Sequence, residues 1–419
     1  MKTGKAADAA IRTSNRYGRR AAMALVMGGV LLLTAACNDD KGGTSADAAA
    51  TASADANGTA APGGNAATPK ASAAQLAVEP KDGAHDVAPN GLQVSVSKGK
   101  LTTVEVTDKN GKPVEGAITP DGTGWKPSAA LAVGMAYKVN AQAKDDAGLV
   151  SASTTSFTTL TPEKKVSTND NISDGATYGV GMIVSVNFSK SVKNKDAVVK
   201  GITVEASDGT VVKGHWFDDD RLDFRPENYW KPGTKVTVHY RLKSVEVAPG
   251  IYGDVDKDEP FTIGRSMVST ADAKSHQMTI ERDGKSTTVP VTLGADATPS
   301  WGGTMVIMEK DKVTHMDSHT VGLGGEYDIK DVPHAMRLTS SGTFVHGNYW
   351  ADPAPFGKVN KSHGCISMAD EKGGSDSSVA GKFFNDSMVG DVVKIVNTKE
   401  KTVAPSNGLG GWNVSWANW

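Results

Sequence analysis

The sequence predicts a mainly β protein: two immunoglobulin-like β-sandwiches, then a third β-rich domain closed by a docked C-terminal tail. Three observations predict it. Short runs alternate with period two, as in LQVSVS (92–97), TTVEVTD (102–108) and YKVNAQA (137–143), and Asp-Gly, Asn-Gly and Pro-Asn pairs cut them apart. Strands about 8–12 residues apart with such turns read as a sandwich. The texture then repeats at a period of roughly 90–100 residues. DGA at 82–84 returns at 174–176, VSV at 94–96 returns at 184–186, and Pro127 and Gly134 before YKV return as Pro226 and Gly233 before TKV. Beyond FTIGRSM (261–267) the strand-like texture continues without a repeat of that kind.

Residues 1–37 read as an export signal. Arg12, Arg16, Arg19 and Arg20 precede an apolar run, AAMALVMGGVLLLTAA (21–36), and small residues lead into Cys37. The run falls short of the ~20 residues that span a bilayer, which argues against a membrane-crossing anchor. LTAAC resembles a lipobox, the site where a cysteine is lipidated and becomes the mature N-terminus. It departs in one respect: Leu33 sits one place early, with Thr34 in its usual slot. GRRAAM lacks the longer twin-arginine pattern, so the general secretion route is expected. The expected location is extracytoplasmic, on the cell membrane through a lipid at Cys37. Residues 38–74 are Ala-, Gly-, Ser- and Thr-rich with no periodicity. Such a stretch cannot bury enough apolar surface to fold, and as a tether it spans ~30–35 Å.

The two sandwiches are expected over 75–161 and 162–263, each with a tryptophan (TGWKP, NYWKP) assigned to packing. The third domain runs from 264 to 397. It opens with a hairpin, HQMTIERDGKSTTVPVTLG (276–294), turning at Asp283-Gly284. Strands are expected at TMVIM (304–308), TFVH (343–346) and DVVKIVN (391–397), with 375–385 as a helix candidate. The tail, 398–419, holds three of the eight tryptophans, and a free tail would not expose three indoles, so it docks. Formal charge is −2, with 45 Lys+Arg against 47 Asp+Glu. No basic excess calls for nucleic acid. No phosphate loop, dinucleotide fingerprint or metal-ligand spacing stands out, so neither cofactor nor metal is expected.

The chemistry concentrates in KSHGCISM (361–368). The chain has two cysteines, and if Cys37 carries lipid then Cys365 has no partner. An unpaired thiol in an oxidising place needs a reason. A thiolate is the attacking form, and an imidazole can take its proton. His363 would share a face with Cys365 on an extended strand, though ~6–7 Å away along the backbone. His346 ends a strand-like run, and the Asp352, Pro353 and Pro355 loop can return the chain beside it. His346 is therefore assigned as base and His363 as structural. Gly364 would let a carbonyl approach the 364–365 amides as oxyanion donors. Three alternatives remain beside this. His346, His363 and Cys365 could hold zinc, without an obvious fourth ligand. A papain-like enzyme would open a long helix at its cysteine, against the grain of Gly364 and its β-like flanks. A buried inert thiol would want apolar neighbours, and Ser-His-Gly are not apolar.

His346-Gly-Asn-Tyr-Trp, a spacer, then Ser362-His-Gly-Cys365 resembles the L,D-transpeptidase signature. MDSHT (316–320), SSGTFVHGN (340–348) and GLGGWNVSWANW (408–419) extend the likeness to mycobacterial-type members, which have a lipobox, two immunoglobulin-like modules and a catalytic β-domain. The resemblance covers the whole chain. It implies 3→3 cross-linking of peptidoglycan stem peptides at a site facing the cell wall. Cys365 would attack the third-residue carbonyl of a donor tetrapeptide, with His346 as general base and acid. The Gly347 carbonyl would orient the imidazole, and Ser362, His363, Gly364 and Cys365 would carry the oxyanion contacts. Met316 and Tyr327 match lid residues; Ser341 and Gly342 match a substrate-binding segment. Carbapenem β-lactams are the implied inhibitors. Two departures stand out: Ser367 replaces the family's usual asparagine, and Val321 replaces a second lid tyrosine. A hydroxyl at 367 can still hydrogen-bond substrate but spans less than an amide. The same acyl-enzyme would serve an L,D-carboxypeptidase or a protein-anchoring enzyme. A catalytically silent wall-binding lipoprotein is the alternative of another class, against which the intact His/Ser/His/Gly/Cys set argues.

Overall fold

The computed structural model describes residues 70–321, 324–351 and 355–419, apart from the Val321 side chain. Cys37, the apolar run and nearly all of the tether lie outside the described residues.

The first sandwich packs two four-stranded sheets. One runs Gln75–Glu79, Gln93–Ser97, Gly124–Pro127, Gly116–Ile118; the other runs Ala84–Val87, Val150–Thr159, Ala136–Lys144, Lys100–Asp108. Period-two alternation builds the core directly. Tyr137, Val139, Ala141 and Ala143 are buried from one strand, and its lysines face out. Trp125 packs in that core.

The second sandwich repeats the plan. Thr168–Asp170, Val184–Phe188, Arg221–Pro226 and Val212–Phe217 form one sheet; Thr177–Tyr178, Asp256–Ile263, Lys235–Arg241 and Ile202–Ala206 form the other. Trp230 is buried and its Nε1 donates to the Met182 carbonyl at 2.7 Å, consistent with a packing role. A short helix, Lys195–Gly201, was not expected from the sequence. Two turns are too few to show a helical period, although Asp196 at its start and Lys200 at its end suit the helix dipole.

The third domain has a five-stranded sheet in the order Lys285–Pro290, Gln277–Arg282, Met267–Asp272, Val392–Val396, Gly303–Val306. Its hairpin turns through Asp283 (φ 48°) and Gly284 (φ 79°), the left-handed pair that a type I′ turn requires. A four-stranded sheet, Glu309–Asp317, Asp328–Arg337, Phe344–Asn348, Ile366–Ala369, lies over a shared core of Met278, Ile307, Met336, Val345 and Ile366. The helix candidate is Val379–Asp386, capped by Ser378 Oγ, which accepts from Gly381 N at 2.9 Å.

The tail docks on the second sandwich. Trp412 Nε1 donates to the Gly181 carbonyl at 2.8 Å, and Trp419 Nε1 to the Lys213 carbonyl at 2.9 Å. The Arg225 guanidinium is inserted among Trp412, Trp416 and Trp419, 4.8, 5.5 and 4.3 Å from the ring centres. Val306 and Leu409 join the core of the second sandwich. Gly179 N and Gly181 N donate to the carbonyls of Val389 and Gly390 at 2.8 Å each. A side chain at Gly179 would collide with the Asp391 backbone, so this close approach needs glycine. The second sandwich and the third domain are thus bonded as one body.

Candidate active site

Strand pairing assembles the site. Phe344–Asn348 pairs in parallel with Ile366–Ala369, setting Val345 beside Ile366 and His346 beside Ser367. Cys365 therefore stands at the mouth of one strand, with His346 on the next. Both line a cavity of about 250 Å³, with Met316, Tyr327, Ser362, His363 and Ser367 also in its wall. A second cavity shares Tyr327 and His363 with it and is lined by Ser341, Gly342 and Gly364 among others. The structure thus gathers the residues picked from sequence around one cysteine, in two chambers that share two side chains.

The imidazole is fixed. His346 is buried, and its Nδ1 lies 2.8 Å from the Gly347 carbonyl. A carbonyl only accepts, so Nδ1 holds the proton and Nε2 is the basic atom. Behind Gly347 stands the Asp370 carboxylate, so close that a Cβ at 347 would strike it. Asp370 is held by His334 Nδ1 at 2.7 Å and by the amides of Glu371 and Ser375. Burial acts to raise this carboxyl, but those hydrogen bonds prevail and hold it below its ordinary value.

The thiol is quiescent. Its partner is the Gly342 carbonyl, at 3.7 Å from Sγ. Burial pushes Cys365 up to about 11, only partly countered by a backbone hydrogen bond. Burial also lowers His346, with the Gly347 bond working the other way. At neutral pH the pair is therefore an uncharged thiol beside an uncharged imidazole, not an ion pair. Burial, then the nearby Cys365, pushes the Tyr327 phenol up to about 12, leaving it a neutral donor.

Three expectations change in detail. Residues 363–365 form a bend rather than an extended strand, so His363 and Cys365 do not share a strand face. His363 turns outward, 3.2 Å from Glu326, and packs on Tyr327. Gly364 takes a left-handed φ of 113°, which by itself favours glycine, and an added Cβ would meet no protein atom nearer than 3.9 Å, so the space above it is open. Its N–H goes to Ser362 Oγ at 3.2 Å, and that hydroxyl donates to the Cys365 carbonyl at 2.6 Å. The Gly364 amide is thus engaged within the loop in this state instead of standing free for an oxyanion. Among the described residues no cluster of three or more metal-ligating side chains occurs.

Some site residues were not picked out from the sequence. Trp350 stacks on His346, with ring centres 5.8 Å apart and planes 8° from parallel, and stays 41% exposed at the cavity mouth. Its place in HGNYW was the available hint. Thr292, from the distant hairpin, and Asn407, from the tail, had none. Asn407 grips Ser341 twice, Oδ1 accepting from its amide at 3.0 Å and Nδ2 donating to its Oγ at 2.8 Å. The side chain of Val321, and residues 352–353 of the loop expected to bring the chain back, lie outside the described residues.

Immunoglobulin-like sandwiches lead into a β-domain whose cavity holds a thiol and an imidazole, the layout of a cysteine-dependent enzyme. Residues 84–246 match the bacterial Ig domain family, and residues 266–395 match the L,D-transpeptidase catalytic domain. L,D-transpeptidase 2 of Mycobacterium tuberculosis (strain CDC 1551 / Oshkosh) is 31% identical over 350 residues, covering 82% of this chain and 84% of that protein. L,D-transpeptidase 5 of the same species (strain ATCC 25618 / H37Rv) is 27% identical over 356 residues, covering 83% and 76%. The solved structure of the L,D-transpeptidase LdtMt1 in complex with imipenem is 28% identical, covering 56% of this chain and all of that one, with a TM-score of 0.47. The chain belongs to the L,D-transpeptidase family.

Proposed function

We propose that this enzyme forms 3→3 cross-links between peptidoglycan stem peptides through a thioester on Cys365. The observation that carries the reading is the shared cavity: a lone thiol and an imidazole whose tautomer is locked by the Gly347 carbonyl. In acylation, Sγ bonds to the carbonyl carbon of the donor's third residue while His346 Nε2 takes the thiol proton. The peptide C–N bond then breaks, and Nε2 returns that proton to the departing D-alanine amine. In the second half, the side-chain amine of an acceptor stem attacks the thioester, gives a proton to Nε2, and the sulfur leaves to regain it. Met316 and Tyr327 cover the donor, and Ser341 and Gly342 flank the other chamber. Carbapenems would open their lactam on the same sulfur.

Incubation of the soluble protein with tetrapeptide muropeptides should yield a 3→3 dimer with release of D-alanine. Tripeptide alone would identify water as the acceptor, making the enzyme a carboxypeptidase and overturning the cross-linking assignment. The lipobox-like LTAAC supports extracytoplasmic anchoring to the membrane, facing the wall, through Cys37. Mass spectrometry of the mature protein should find a diacylglyceryl group on that cysteine; an unmodified N-terminus beyond residue 37 would exclude it.

A further inference from the structure

The structure puts the hydroxyl of Ser367 on the base. Ser367 Oγ lies 3.0 Å from His346 Nε2, with both residues buried. Because Nδ1 donates to the Gly347 carbonyl, Nε2 of the neutral ring can only accept, so Ser367 donates to it. The atom that must take the thiol proton is therefore already engaged, while the thiol itself turns to Gly342. The serine backbone has no freedom. Ser367 N donates to the Thr292 carbonyl at 2.9 Å, and Thr292 N donates back to the Ser367 carbonyl at 3.0 Å. With the backbone so held, the hydroxyl hydrogen can still turn about Cβ–Oγ.

We propose that Ser367 is a positioning residue for His346 in both of its working states, donating to Nε2 of the neutral ring and accepting from Nε2–H of the imidazolium. This rests on the assignment of His346 as acid and base. A hydroxyl carries one donor and two lone pairs, and it exchanges roles by turning about Cβ–Oγ without moving a heavy atom. When Nε2 takes the proton from Sγ, the turned hydroxyl receives Nε2–H until the leaving amine claims it. Ser367 keeps its own proton throughout. An amide offers a donor at one end and an acceptor at the other, so it must swing its whole head group to do the same. With asparagine, the donor end favours the neutral ring and disfavours the imidazolium.

The test compares Ser367→Ala, Ser367→Thr and Ser367→Asn with the parent in the full soluble protein. Carbapenem acylation is followed from pH 5 to 9, and the His346 ring by ¹⁵N NMR. Ser367→Ala should acylate about 100-fold more slowly, at the low end of general acid–base effects. Ser367→Thr should recover to within about threefold, because it restores the rotor. Ser367→Asn should keep the Nδ1-protonated tautomer and shift the acid limb of the rate profile, with the matching ring titration, to lower pH. Parent-like rates and profiles in all three would overturn the proposal. If Ser367→Ala fails to fold, the displaced or unchanged acid limb of Ser367→Asn still decides it. Failure of the enzyme assignment itself would be seen separately, as carbapenem labelling that survives in Cys365→Ala.

Discussion

Cys365→Ala should lose all covalent capture of a carbapenem, and His346→Ala should slow capture by about 10²–10⁴-fold while remaining folded. The size follows from the charge state of the pair. With the thiol pushed up to about 11, only about one molecule in ten thousand carries a thiolate at pH 7. The parent avoids that penalty by passing the proton to Nε2 as the sulfur attacks. The sign of the pH dependence separates the two routes. Burial lowers the imidazole, so in the parent the base is ready above that depressed value, and the rate should be flat through neutrality and fall only in acid. Without the imidazole the reaction depends on preformed thiolate. The His346→Ala rate should then climb about tenfold per pH unit toward pH 11. Intact-mass measurement of adduct against time, at several pH values, reads both slopes. A flat profile in His346→Ala would show that another group takes the proton.

Trp412→Ala should destabilise the joined body formed by the second sandwich and the third domain by about 3–5 kcal/mol. The indole packs edge-on against Tyr229 with centres 4.7 Å apart, bonds the Gly181 carbonyl, and covers the Arg225 guanidinium. Arg225 is 2% exposed, and its head group also donates to the carbonyls of Pro226 and Val414 at 2.9 and 2.7 Å. Uncovering it leaves a cation with fewer partners in a pocket shaped for aromatic rings. A fall in Tm of roughly 10 °C by calorimetry is the expected readout, and an unchanged Tm would show that the tail adds no stability. The same tail presents Asn407 to Ser341, next to the Gly342 carbonyl that holds the thiol. Loss of tail order should therefore reach the active site as well as the interface.

Local signals in the chain determined the strands, the hairpin and the positions of the reacting pair. Alternation with period two is a property of neighbours, and so is the Asp283-Gly284 turn, so both could be read without coordinates. The His346 and Ser362–Cys365 spacing was legible for a related reason: two adjacent parallel strands joined by one loop leave their mark as a short sequence interval. What tertiary structure decided is which atom meets which. Ser367 reaches His346 Nε2 only because the strands pair in that register; a one-residue slip would turn its hydroxyl to the opposite face. Asn407 reaches Ser341, and Thr292 clamps Ser367, across 66 and 75 residues of chain that carry no common pattern. The boundary near residue 263 shows the same limit. Composition divides the chain there, yet Gly179 and Gly181 admit the backbone of Val389 and Gly390, and the Trp-rich tail crosses back to seal the joint. Periodicity records what a segment buries, whereas contacts between distant segments depend on packing geometry that no single stretch encodes.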